Sequence, residues 1–156
     1  MSKQLVLGEN IRKEIAQGLC RVLADSYALY LKTHNFHWNV EGPKFRDLHL
    51  MFEEQYTELA TAVDEIAERI RALGQYAPGS FSQFSRLASV KDEETVPAAE
   101  DMVRRLAEDY ETVGKTVRSV LPSAQEAGDE VTVGLLVERL AVHEKTTWML
   151  RSMVKE

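Results

Sequence analysis

His49, Glu53, Asp64 and Glu68 lie in the stretch HLMFEEQYTELATAVDEIAE, residues 49–68, as two pairs with four-residue spacing. The outer and inner members are placed symmetrically about one point near residue 58. Imidazole combined with carboxylate suits iron, manganese or zinc, whereas calcium and magnesium prefer all-oxygen sites. A helix rises 1.5 Å per residue, so Glu53 and Asp64 are separated by about 16 Å along the axis. Carboxylate–metal bonds are about 2 Å long, so one ion cannot touch both. The four residues are therefore two half-sites. A second copy of the same helix, antiparallel and related by a two-fold axis near residue 58, would lay Asp64 and Glu68 of one chain against Glu53 and His49 of the other. Two-fold contacts are self-complementary and are the commonest way in which identical chains associate. A solvated acidic face is the bland alternative for this flank, because charged side chains usually lie in water.

The face that carries these residues follows from helical geometry. At 100° per residue measured from Leu59, the side chains of Leu48, Phe52, Val63, Ile66, Ile70 and Leu73 fall within about 40° of one direction and form a core stripe. Glu54, Glu58, Glu65 and Arg69 share one flank, read as a solvated face with an i,i+4 pair between Glu65 and Arg69. His49, Glu53, Asp64 and Glu68 share the other with Tyr56, Ala60 and Ala67, whose alanines would let another helix approach.

More candidate ligands precede this helix, in KTHNFHWNVEGPKF, residues 32–45. His34 and His37 continue a stripe of Leu19, Leu23, Tyr27 and Tyr30 on an earlier helix. The turn VEGPK folds that helix back, so that His37 and His49 can become neighbours. Carboxylates with histidine and open positions make up carboxylate-bridged iron sites. Trp38 reads as a packing residue or, beside a redox metal, as an oxidisable group. His143 reads as structural, and Trp148 and the five methionines as core filling; Met51 suggests no haem site.

The elements that must position these residues are helices. Proline and glycine punctuate the chain at 40–44, 74–80 and 121–130. The intervening segments are rich in helix formers and predict helices over 9–38, 44–73, 97–120 and 129–154, with a shorter one over 81–88. No alternating run or Asn-Gly hairpin signals a strand. Four long helices joined mostly by short turns imply an all-α antiparallel four-helix bundle, residues 1–156 forming a single domain with an extra helix in its middle connection. That connection, 74–96, is longer than bundle turns usually are, so it crosses the bundle or builds an interface.

Composition narrows the class. The chain of 156 residues is 28% charged and 44% apolar, as a globular domain is. No apolar run approaches a membrane span, and no signal-like segment opens the chain. A single cysteine, Cys20, excludes an internal disulfide and suits a reducing compartment; cytoplasm is the expected location. A net charge of −6 argues against simple adhesion to nucleic-acid phosphates.

The run HNFHWNVEGPKFRDLHLMFEEQYTELATAVDEIAERIRALG resembles the Dps family of ferritin-like mini-ferritins, the DNA-binding proteins from starved cells. The likeness extends over essentially the whole chain, to EKTTWMLRSM near its end. It implies a hollow homo-dodecameric shell of tetrahedral symmetry with two-iron ferroxidase centres at two-fold interfaces. Carried over by position, it implies that His37, His49 and Glu53 come from one subunit, and Asp64 and Glu68 from its partner. Trp38 then lies beside the site, and Glu53 stands where family members often have Asp. The implied chemistry is oxidation of Fe(II), preferably by hydrogen peroxide, with storage of ferric mineral and no haem. Glu126, Asp129 and Glu130 match part of the family's acidic pore through which iron enters; Gly134 stands where relatives can carry another acid. Direct DNA binding is the alternative role. In relatives that coat DNA it often rests on a lysine-rich tail, whereas Lys3, Arg12 and Lys13 here are offset by Glu9 and Glu14.

Overall fold

The computed structural model describes residues 7–155, so Lys3 lies outside the described residues. Five helices follow in order: α1 (Glu9–Asn39), α2 (Phe45–Ala72), α3 (Phe81–Leu87), α4 (Ala99–Ala127) and α5 (Glu130–Met153). The all-α reading and the short middle helix hold. The turn between α1 and α2 is built by Val40 in an extended conformation, Gly42 at φ 113° and Pro43. Glycine reaches that φ without a Cβ clash, and the residue after it cannot continue a helix. Asp47 in the first turn of α2 and Arg69 and Arg71 in its last complement the helix dipole.

The second boundary differs from expectation. α4 runs through Pro122 to Ala127, seven residues past the predicted end at 120. Pro122 is exposed, so the carbonyl it deprives of a partner can be hydrated, while buried Val120 and Ala124 anchor the helix on either side. The stop comes at Gly128, at φ 70°. There the amides of Gly128 and Asp129 bond the carbonyls of Gln125 and Ala124, the paired bonds of a Schellman cap.

Long-range pairs fix the arrangement. Lys32 meets Asp109 and Arg21 meets Ser119, so α4 runs antiparallel to α1. Arg69 meets Asp129 and Glu58 meets Arg139, so α5 runs antiparallel to α2. The helices thus form a ring in the order α1, α2, α5, α4, and the connection from α2 to α4 must cross it diagonally. It passes along α1, where the buried carboxylate of Asp25 accepts the amide of Val90 at 3.0 Å and the hydroxyl of Thr116 at 2.6 Å. Leu48, Phe52, Leu59, Ile66, Ile70 and Leu73 are buried as predicted. At Gly18 a Cβ would come within 2.7 Å of Val120, so α1 and α4 touch backbone to side chain there.

The flank of Glu58 and Arg69 is a correction. It faces α5 rather than solvent, and Arg69 bonds Asp129 at 2.7 Å and Thr132 at 3.0 Å instead of pairing with Glu65. Trp148 is a second correction: it is 67% exposed on the outer side of α5 and fills no core. Among the described residues, no helix is long and apolar enough to cross a membrane.

Candidate metal centre

His37 occupies the last turn of α1 and His49 the second turn of α2. The tight turn between them stacks their rings at 3.9 Å with planes 14° apart. Each Nδ1 donates to the other residue's backbone carbonyl at 2.7 Å. The carbonyl of His37 belongs to the end of α1 and has no helical partner, so His49 supplies one. This reciprocal pattern places a proton on both Nδ1 atoms. It leaves both Nε2 lone pairs free, the tautomer a metal ligand needs. Phe45 covers the far face of His49 at 4.9 Å, and Tyr56 meets His37 edge-on at 5.1 Å.

Glu53, one turn beyond His49, is exposed. Asp64 and Glu68 are exposed further along the same flank of α2. Their carboxyls hydrogen-bond each other. That shared hydrogen bond and then the charge of Asp64 hold the Glu68 carboxyl above its ordinary range. Two acids that converge without a counter-charge are suited to a cation between them. Among the described residues no lysine or arginine pairs with Glu53, Asp64 or Glu68. Within the same limits, no three His, Cys, Asp or Glu side chains of one chain converge as a metal site would require. The single chain therefore presents a histidine half and an acidic half, separated by about 16 Å of helix between Glu53 and Asp64.

An aromatic layer surrounds the histidine half. His34 is sandwiched between Trp38 at 4.0 Å and Tyr56 at 4.0 Å. Desolvation, and next the charge of His37, lower the pKa of His34. Trp38 is 60% exposed and packs on His34, not in the core. Its contact with His34 follows from their four-residue spacing; the stacking of Tyr56 on His34 joins two helices and has no local sequence signal.

The three candidate pore acids separate. Glu126 and Glu130 are exposed at the α4–α5 junction. Asp129 is 4% exposed; it caps α5 through the Thr132 amide and pairs with Arg69. Its carboxylate is thus engaged within the chain by Thr132 and Arg69. His143 is buried as expected, its Nδ1 donating to the Tyr110 carbonyl at 3.3 Å. Burial and, less strongly, the Arg139 charge push its pKa down to about 3.

The ring of antiparallel helices with its diagonal crossover and its carboxylate–histidine face defines a ferritin-like protein. The Ferritin family profile, described as a ferritin-like domain, matches residues 16–156. DNA protection during starvation protein 2 of Bacillus anthracis is 38% identical over 146 residues, covering 94% of this chain and all of the relative. An uncharacterized low temperature-induced protein of Nostoc sp. is 40% identical over 151 residues, 96% of this chain and 84% of the relative. The Dps protein of Vibrio cholerae O1, described as one of the ferritin-like diiron-carboxylate proteins, superposes with a TM-score of 0.94 at 32% identity, over 99% of this chain and 98% of that one. The chain belongs to the Dps family of ferritin-like proteins.

Proposed function

We propose that this protein is a ferroxidase and iron store, assembled as a twelve-chain shell, whose iron-oxidising centres form between two chains. The observation that carries the reading is the division of one flank of α2 into two complementary halves. His37 and His49 offer free Nε2 atoms, Glu53 lies beside them, and Asp64 and Glu68 converge without a cation. Asp64 and Glu68 of a two-fold partner would complete the coordination of Fe(II) begun by His37, His49 and Glu53.

Iron is the substrate. Neutral imidazoles hold Fe(II), and carboxylates favour the Fe(III) product, so oxidation is downhill at such a donor set. Hydrogen peroxide accepts the two electrons of two Fe(II) ions. Ferric product then moves inward as mineral, and removal of both reactants protects DNA without any contact with it. The starvation-protection name of the Bacillus anthracis relative supports that role. Glu126, Asp129 and Glu130 are the candidates for an acidic pore through which iron reaches the cavity, the first and last of them exposed. The net charge of −6 per chain makes direct DNA binding the weaker reading.

Anaerobic Fe(II) titration of the assembled protein should saturate near two irons per shared site. His37→Ala and Asp64→Ala should each abolish that saturation and peroxide-driven oxidation. Ordinary oxidation by both variants would overturn the assignment.

A further inference from the structure

We propose that Arg139 is a built-in cation seated in a metal-like site in the middle of the helix ring, and that it keeps transition-metal ions out of the chain's interior. Arg139 of α5 is buried, and its guanidinium grips Glu58 of α2 with two bonds, at 2.5 and 3.0 Å. One turn further along α5, the buried His143 gives its Nδ1 proton to the Tyr110 carbonyl. That leaves its Nε2 lone pair turned towards Arg139 Nη2, at 3.4 Å. A single guanidinium nitrogen, Nη2, is therefore flanked by a carboxylate oxygen at 3.0 Å and a free imidazole nitrogen at 3.4 Å. Gln55 shares the face of α2 that carries Glu58, three residues before it. Its Oε1 is buried and accepts no hydrogen bond among the described residues. The Tyr110 ring, 5.0 Å from that of His143, walls the layer on the α4 side.

Donors that converge from facing helices are how bundle interiors hold metal ions, and a carboxylate with an imidazole suits first-row transition metals. Bonds to such donors are about 2.0–2.2 Å long, so Glu58 and His143 would close by about 1 Å around an ion in place of Nη2. Arg139 forestalls this in three ways. Its guanidinium stays protonated throughout the range in which proteins fold, so it does not vacate the seat by losing a proton. Its tether holds it there at a high effective concentration that a free ion must outcompete. Its charge neutralises Glu58 and repels a second cation. The seat is not sealed: the Glu58 side chain is 39% exposed, which gives an ion a way in from the α2–α5 face once Arg139 is removed. Metal is thereby confined to the surface half-sites, whether or not those half-sites oxidise iron.

The test is Co(II) binding by the assembled full-length protein, followed by equilibrium dialysis and visible absorption. Arg139→Ala should bind one Co(II) per chain more than wild type, and Co(II) should raise its unfolding midpoint more than that of wild type. Adding Glu58→Gln or His143→Leu to Arg139→Ala should weaken the extra ion by about tenfold or more. Millimolar guanidinium ion should compete with the extra Co(II) in Arg139→Ala and leave binding to wild type unchanged; a purely structural arginine predicts no such competition. Arg139→Gln, which keeps most of the side-chain volume without the charge, is the second variant and should gain the same ion. Equal Co(II) stoichiometry in wild type and the folded variants would overturn the proposal. So would a Co(II) ion in wild type that Glu58→Gln removes, because the seat would then hold metal with Arg139 in place. An ion that fits the seat should stand in for the lost charge, so failure of both variants to assemble even with Co(II) present would overturn it as well.

Discussion

A histidine can offer a metal only the ring nitrogen that carries no proton, and in His37 and His49 the backbone decides which one that is. Each ring gives its Nδ1 proton to the other residue's carbonyl, so each holds the other in a ligating tautomer. His143 illustrates the opposite use of the same side chain. It is buried beside Arg139, with its pKa down to about 3 from an ordinary 6.5. Above pH 6.5 it is neutral whether the chain is folded or not, and it adds no pH dependence. As pH falls from about 6.5 towards 3, the unfolded chain takes up a proton that the folded chain refuses, and stability is lost. One such proton corresponds to at most about 1.4 kcal/mol per pH unit. His143→Gln should flatten this acid-side decline, measured as the difference in urea midpoint from wild type at pH 7 and pH 4. An equal decline in both proteins would show that His143 does not set it.

Among the elements, the junction of α4 and α5 carries most of what local patterns miss. Pro122 and the Gly128–Asp129 pair all signal a break, and the helix passes the first because its buried neighbours outweigh one missing hydrogen bond. Asp129 then makes three contacts that join two helices: it caps α5, binds Thr132 of the same helix and neutralises Arg69 of α2. Asp129→Ala leaves Arg69 without its carboxylate and removes the cap. A loss of about 3–5 kcal/mol is expected in denaturant unfolding. Asp129→Asn keeps an oxygen for the cap and should cost less. In Asp129→Asn shells that remain assembled, the initial rate of iron uptake should be near wild type. A selective fall in uptake at unchanged stability would show that Asp129 also serves the pore.

At the scale of the whole molecule, the proposed ferroxidase reading makes activity a property of pairs of chains, because the half-sites of one chain are about 16 Å apart along α2. Chains bearing His37→Ala and chains bearing Asp64→Ala should each be inactive alone. In a mixed dimer one shared site collects both lesions and the other collects neither. With random pairing, roughly a quarter of wild-type ferroxidase activity should return when the two are co-assembled. No recovery in co-assembled shells would mean that each chain builds its site from its own residues.

The sequence by itself determined the helices, the buried stripe of α2 and the flank on which His49, Glu53, Asp64 and Glu68 gather, because a 3.6-residue period is a local property. It also made His37 and His49 candidates for one half-site, since a five-residue turn leaves α2 no course but back along α1. Tertiary structure decided what faces each remaining flank. Arg69 chose Asp129 over the nearby Glu65, Glu58 met Arg139, and Tyr56 settled on His34, all across distances in sequence that no helical period encodes. Charges and rings pair with whatever packing brings within reach, and only the closed ring of helices sets that neighbour.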